Sequence, residues 1–287
     1  MSIRFTDVFF TYNPRTPLEH QALKGINLEI VEGSFVAIVG RTGCGKSTMV
    51  QHINALLHPT SGVVAVDDFQ NVPEKKKRSK NTKELRQKVG LVFQFPEYQL
   101  FEETVEKDVA FGPKNFGKTE EEAMEAAHKA LLEVGLGEEF FKRSPFELSG
   151  GEKRRAAIAG VLAIGPQYLV VDEPTAGLDP LGSKEMMALF QKVHAEGATI
   201  ILVTHDMALV KRYCDKVIVV DDGTIAKVTT PDEFFLEDIE KYSLDSPELY
   251  KLARFCIAHG ADFDMKSIHG VTAFSEEIAK WKGVKHE

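Results

Sequence analysis

Residues 40 to 48 read GRTGCGKST. The spacing Gly40-x4-Gly45-Lys46-Ser47 is that of a phosphate cradle, in which glycines let backbone N–H groups converge on phosphate oxygens. The loop residues are Gly40, Arg41, Thr42, Gly43, Cys44, Gly45, Lys46, Ser47 and Thr48. Lys46 is expected to reach the β- and γ-phosphates of a nucleotide, and Ser47 to coordinate Mg²⁺. Far along the chain, YLVVDEP (168 to 174) ends in two carboxylates. Asp172 is expected to hold Mg²⁺ directly or through water, and Glu173 to polarise an attacking water as general base. TIILVTH (199 to 205) delivers His205 at the end of another apolar run, suited to hydrogen-bond a γ-phosphate. Gln94, after VGLVF, carries an amide oxygen able to bind Mg²⁺ or water, although an isolated glutamine carries no signal. Tyr12 offers an aromatic face on which adenine could stack, or else ordinary core packing.

Such groups must be held by something rigid. FVAIVG (35 to 40) is a short apolar run entering the glycine loop, and KSTMVQHINALL after it has helical spacing, so strand, loop and helix follow one another. KVIVVDDGTIAKV (216 to 228) reads as a hairpin turning at Asp222-Gly223. The start, MSIRFTDVFF, alternates like a strand. Amphipathic helices between the apolar runs imply an α/β fold with a mostly parallel sheet and ligands at its strand ends. The stretch from about 95 to 165 is rich in helix formers and reads as an inserted helical subdomain. Another helical segment begins at Pro231, with a break at Pro247.

The chain has 287 residues, enough for one large α/β domain and an appendage. A net charge of −8 argues against general nucleic-acid binding. One basic run, KKKRSK at 75 to 80, reads as a solvated loop. Cys44, Cys214 and Cys256 are odd in number and unrelated in spacing, so neither a disulfide framework nor a zinc site is indicated, and a reducing compartment is expected. AAIAGVLAIGPQYLVV (156 to 171) is broken by Gly165 and Pro166 and falls short of the ~20 apolar residues of a spanning helix. With no signal-peptide pattern at the N-terminus, a cytosolic protein is expected, touching a membrane only through partners.

A second stretch of serine and paired glycines, LSGGEKRR at 148 to 155, has no obvious task in a chain that already carries a phosphate loop. Together these stretches resemble the ATP-binding-cassette (ABC) ATPases over roughly residues 3 to 246, leaving 247 to 287 as a helical C-terminal extension. LSGGEKRR is similar to that family's signature motif, usually LSGGQ, with Glu152 in place of the glutamine. The resemblance implies a P-loop NTPase fold, ATP and Mg²⁺ as substrate and cofactor, and catalysis by Gln94, Glu173 and His205. It also implies that Ser149, Gly150, Gly151 and Glu152 contact ATP held by the other subunit of a head-to-tail dimer. AGLDP (176 to 180) resembles the family's D-loop, with Asp179 crossing the interface.

A finer resemblance, carried by FQFPEYQLFEETVEKDVAFGPKNFG (93 to 117) and RRAAIAGVLAIGPQYLVVDEPTAGLDP, is to the ATPases of energy-coupling factor (ECF) transporters, in the form of the second ATPase of a heterodimeric pair. It implies a second ATPase, a transmembrane coupling protein and substrate-binding membrane subunits as partners. The expected place is the cytoplasmic face of the cell membrane, and the expected cargo is vitamins or transition-metal ions. The acidic, aromatic-flanked segment Glu97, Tyr98, Phe101, Glu102, Glu103, Glu106 and Asp108 is expected to receive a helix of the coupling protein, the alternative being a solvated helix face. A different ABC transporter type, a soluble ABC regulator and a P-loop kinase are the rival readings. The regulator lacks support because there is neither a second cassette nor a long coiled-coil insertion, and a kinase would leave the signature and D-loop unexplained.

Overall fold

A computed structural model describes residues 2–73, 82–268 and 270–283. The basic run at 75–80 lies outside the described residues. Ten strands, β1 (Ser2–Tyr12), β2 (His20–Val31), β3 (Phe35–Val39), β4 (Ser61–Val66), β5 (Phe69–Asn71), β6 (Val89–Val92), β7 (Tyr168–Asp172), β8 (Thr199–Val203), β9 (Lys216–Asp221) and β10 (Thr224–Thr229), form two sheets. One has the order β10-β9-β3-β8-β7-β6, parallel from β9 to β6, with β10 folded back antiparallel on β9. The other, β2-β1-β4-β5, is antiparallel throughout. The alternation of MSIRFTDVFF is that of β1, but that pattern alone does not announce a second sheet around it.

The apolar runs of β3, β7 and β8 are continuous because both their faces are covered. Alternate residues enter different cores. Val36 and Ile38 of β3 join Phe5, Ile26, Leu28 and Ile30 in the layer between the two sheets. Phe35, Ala37 and Val39 join the opposite layer, where Val109, Leu131, Ile158, Met187 and Phe190 come from helices. Between β6 and β7 the longer helices are Val105–Asn115, Glu120–Glu133 and Gly150–Leu162. Thr119 starts the middle one with a capping box: its hydroxyl accepts from the Glu122 N–H at 3.3 Å, and the Glu122 carboxylate accepts from the Thr119 N–H at 2.8 Å.

Near the C-terminus, helices Glu248–Ala258 and Val271–Gly283 enclose a small core of Ala253, Ala261, Phe263, Ile268 and Phe274. Tyr250 joins the larger core, and Arg254 donates to the Phe235 carbonyl at 3.0 Å and the Ser246 hydroxyl at 2.9 Å. No helix among the described residues is long and apolar enough to cross a membrane.

Candidate functional site

Four of the parallel strands run out at one edge of the sheet, and each leads into residues singled out by sequence. β3 runs into the glycine loop, β6 into Gln94, β7 into Asp172 and Glu173, and β8 into Thr204 and His205. They meet around a cleft of about 450 Å³ lined by Thr42, Gly43, Gly45, Lys46, Ser47, Thr48, Gln94, Asp172, Glu173, His205 and, from the antiparallel sheet, Tyr12, His20 and Ala22.

The loop's shape demands glycine at two points. Gly40 has φ +147°, and a Cβ there would lie 2.1 Å from the Val220 carbonyl oxygen. Gly45 has φ +107°, and its Cβ would lie 2.7 Å from the Ala22 carbonyl oxygen. The helix Lys46–Ile53 begins directly after Gly45, so unpaired N–H groups and the positive end of its dipole face the cleft. Lys46 Nζ donates to the carbonyls of Gly40 at 2.7 Å and Arg41 at 2.9 Å, which holds its charge over the loop. The side chains of Arg41 and Cys44 do not line the cleft. Arg41 Nε lies 3.5 Å from Asp221, and Cys44 is buried in the layer between the sheets, where desolvation pushes its thiol pKa up. Cys44 Sγ still lies under the loop, 3.9 Å from Lys46 Nζ.

Two oxygen donors meet beside the loop: the Ser47 hydroxyl donates to Asp172 Oδ2 at 2.9 Å. Burial pushes the Asp172 carboxyl pKa up, with the Ser47 hydrogen bond opposing. A desolvated carboxylate next to a hydroxyl fits a hard cation such as Mg²⁺, which takes oxygen ligands and keeps several waters. Among the described residues no group of three His, Cys, Asp or Glu side chains is placed to hold a metal. A cation here would thus share its ligands with phosphate and water.

Glu173 Oε1 lies 2.7 Å from His205 Nδ1, and Thr204 Oγ1 donates to Glu173 Oε2 at 3.3 Å. A carboxylate has no hydrogen to give, so Nδ1 carries the proton of the first bond. Glu173 has φ +48°, in the left-handed region, uncommon for a residue with a side chain. Tyr12 stands at the cleft mouth, its hydroxyl 3.1 Å from Thr48 Oγ1 and its ring edge-on to Phe10 at 4.7 Å. It pairs in register with His20 across β1 and β2.

The ABC transporter family matches residues 23–176, more than half of the chain. Over 267 residues, covering 92% of each chain, this protein is 54% identical to the energy-coupling factor transporter ATP-binding protein EcfA2 of Enterococcus faecalis. The chain belongs to the energy-coupling factor ATPases of the ABC transporter family. EcfA2 of Spiroplasma kunkelii is 46% identical to this ECF ATPase over 290 residues, covering 100% of this chain and 95% of that one. Two solved structures superpose with a TM-score of 0.71. One is CbiO1 from Clostridium perfringens, described as part of the ABC transporter complex CbiONQ, at 40% identity over 88% of this chain and 98% of that one. The other is the ATP-binding cassette MJ0796, a dimer in a post-hydrolysis state bound to ADP and Pi, at 31% identity over 80% and 98%.

In this ECF ATPase the signature residues do not line the cleft. Ser149 caps the helix Gly150–Leu162, accepting from the Glu152 N–H at 3.4 Å, while Glu152 Oε2 accepts from the Ser149 N–H at 2.7 Å. Glu152, where the family usually has glutamine, thus closes a capping box, and the Ser149 bonds hold its carboxyl below the ordinary range. Asp179 also stands apart from the cleft and caps the helix Pro180–Ala195 through the Gly182 N–H at 2.7 Å.

The acidic segment is less uniform than its sequence implies. Glu106 is 3% exposed, bonded to His128 Nε2 at 2.9 Å and Lys142 Nζ at 2.5 Å. Asp108 accepts from the N–H groups of Phe101 and Glu102 at 2.7 and 2.8 Å. Glu106 points into the protein because helix Val105–Asn115 turns its Val105, Glu106, Val109 and Ala110 side inward, while the half-buried Asp108 ties the helix start to the segment before it. His20, Ala22, Thr204 and the buried Arg154 were not singled out by sequence. His20 reaches the cleft because it pairs with Tyr12 across β1 and β2, which nothing in the sequence announces.

Proposed function

We propose that the chain binds Mg²⁺-ATP in this cleft and hydrolyses it, powering import of vitamins or transition-metal ions through membrane partner subunits. The observation that carries the reading is the meeting of a glycine phosphate loop, the Ser47–Asp172 pair and the Glu173–His205 pair in one cleft. Tyr12 stacks on adenine, loop N–H groups and Lys46 hold the phosphates, and Ser47, Asp172 and Gln94 hold Mg²⁺. When bound, Mg²⁺ neutralises negative charge on the phosphates. Glu173 takes a proton from the attacking water. His205, oriented through Nδ1, turns its other nitrogen to the γ-phosphate and positions the water.

The signature serves ATP bound by a second ATPase. A Cβ added at Gly150 would meet no atom within 4 Å, and one added at Gly151 would meet only Arg155 Nη1 at 3.9 Å; neither glycine has a positive φ. Nothing among the described residues requires glycine at these helical positions, where glycine costs about 1 kcal/mol relative to alanine. What requires it comes from outside. Gly150→Leu should therefore leave folding and ATP binding by the isolated subunit intact. In the ATPase pair it should abolish hydrolysis at the site whose phosphate loop belongs to the partner. A defect that instead tracks this chain's own loop would refute the reading.

The division into an ATPase domain over 3–246, with helices from about 95 to 165 as its subdomain, and an extension over 247–287 is part of this proposal; the separate small C-terminal core supports it. For the transmembrane coupling protein, the docking face is the exposed cluster of Phe95, Tyr98, Phe101 and Phe111 with Glu102 and Glu103 at its side. Tyr98 is 84% exposed, and the cluster follows directly on Gln94. Through such subunits the chain is held at the cytoplasmic face of the cell membrane, with exchangeable substrate-binding subunits completing the importer.

A further inference from the structure

A guanidinium taken out of water must find acceptors for its fixed fork of donors. Arg154, in the helix Gly150–Leu162, is 4% exposed. Its Nη1 donates to the Ala176 carbonyl at 2.6 Å, and its Nη2 to the carbonyls of Gln94 at 2.9 Å and Glu173 at 3.2 Å. Glu97 supplies the nearby opposite charge.

None of the three acceptors lies in a strand or helix. Gln94 follows β6, Glu173 follows β7, and Ala176 lies in the turn leading to Asp179. All three lie beyond the strand ends, and one side chain gathers their carbonyls. At Gln94 the carbonyl is fixed while the side chain faces the cleft. At Glu173 the consequence is sharper. Its N–H donates to the Val203 carbonyl at 2.8 Å and its carbonyl accepts from Arg154, so the left-handed residue is pinned on both sides. That pinning aims the carboxylate at His205 and Thr204.

The same helix begins at Gly150, with Ser149 as its cap, about one turn before Arg154. A rigid shift of this helix moves its start and the guanidinium together. We infer that Arg154 is a positioning residue that links the signature helix to the Gln94, Glu173 and Ala176 loops of its own chain, so that engagement of the partner's ATP at the signature sets the geometry of this chain's hydrolytic site, and the reverse. The inference rests on the proposal that the signature serves a partner's ATP. Only arginine has the reach and the planar fork for three separate carbonyls; lysine offers a point charge on a flexible stem.

The test uses the complete complex of both ATPases with the membrane subunits. Arg154→Met keeps the aliphatic stem and removes the donors, and Arg154→Lys keeps the charge. With the partner's own hydrolytic site silenced, Arg154→Met should lower kcat about tenfold to a hundredfold, as small misplacements of a reacting group do, while KM for ATP stays within about twofold. Arg154→Lys should recover part of the loss. With this chain silenced instead by Glu173→Gln, adding Arg154→Met should also lower the remaining hydrolysis, which belongs to the partner's site. A lower melting temperature with unchanged kcat at either site would make Arg154 a structural residue and overturn the inference. Should the methionine variant fail to assemble, the lysine variant decides alone, and wild-type kcat at either site would refute the link. Gly150→Leu in the Glu173→Gln background separates the two ideas: undiminished hydrolysis there removes the trans role of the signature, whatever Arg154 does.

Discussion

Replacing Glu173 by glutamine separates the proton acceptor from everything else that residue does. In the native site Oε1 faces His205 Nδ1 at 2.7 Å and Oε2 faces Thr204 Oγ1 at 3.3 Å. Glutamine has the same shape, with one oxygen and one NH₂ in place of two oxygens. Its oxygen can stay opposite the Nδ1 proton, and its NH₂ then meets Thr204 Oγ1. That hydroxyl already accepts from the Asp206 N–H at 3.0 Å and has a second lone pair free. Both contacts survive, and a charge-assisted bond becomes a neutral one, so stability should change by about 1 kcal/mol or less. The backbone anchors of residue 173, through Val203 and Arg154, do not involve its side chain. Loss of a general base typically costs about 10²–10⁴ in rate, or about 3–5 kcal/mol of barrier. The assay is phosphate release at saturating Mg²⁺-ATP by the complex with the partner's hydrolytic site silenced, beside equilibrium ATP binding and a melting curve. The expected result is nearly abolished turnover, retained ATP affinity and an ATP-bound dimer on size exclusion. A folded variant that hydrolyses within about threefold of the wild type would refute the assignment of Glu173 as the base.

Lys46→Ala should weaken Mg²⁺-ATP binding about tenfold to a hundredfold, the usual worth of a charge-assisted bond, read by equilibrium titration; wild-type affinity would contradict the phosphate cradle. His52 is fully buried, and desolvation lowers its pKa from 6.5 to about 4. Below pH 6.5 the unfolded chain binds a proton there that the folded chain refuses, so stability falls with pH across that window, by about 2 kcal/mol between pH 7 and pH 5. His52→Leu should flatten that part of the pH dependence in urea titrations, and an unchanged slope would show that His52 takes up its proton in the folded state. Charge reversal of Glu102 and Glu103 to lysine should reduce recovery of the membrane coupling protein in a detergent pull-down, while ATP binding by the free subunit persists. The control is a reversal at the exposed Glu121 and Glu125, and equal recovery in both would put the docking face elsewhere.

What was legible in the sequence was local. The runs FVAIV, YLVVD and TIILV announce themselves because a strand covered on both faces has no polar residues to interrupt it. The phosphate loop is read from nine consecutive residues, and the carboxylates and His205 from the ends of such strands. The antiparallel sheet hides better. Only the alternation of its first strand is legible; the β1–β2 register slips between Phe5 and Val8, between Val8 and Phe9 and between Phe10 and Thr11, with Asp7 at φ +48°, so the pairing leaves no regular pattern.

Glu106 and Arg154 were illegible for a different reason. Each sits in a run of charged residues, VEKD and KRR, in which nothing distinguishes the buried member from its exposed neighbours. Which member of such a run turns inward depends on what packs against the helix. For Glu106 that is His128 and Lys142, 22 and 36 residues away. For Arg154 it is three carbonyls, the farthest 60 residues away. Burial pushes the Glu106 carboxyl up, but its hydrogen bonds to Lys142 and His128 outweigh that and leave it below the ordinary range. Arg154 instead meets main-chain carbonyls, whose presence at a given point depends on no particular residue type. A sequence can therefore advertise the groups that touch a nucleotide while concealing the group that holds them, because the first requirement falls on side-chain identity and the second on where three loops happen to converge.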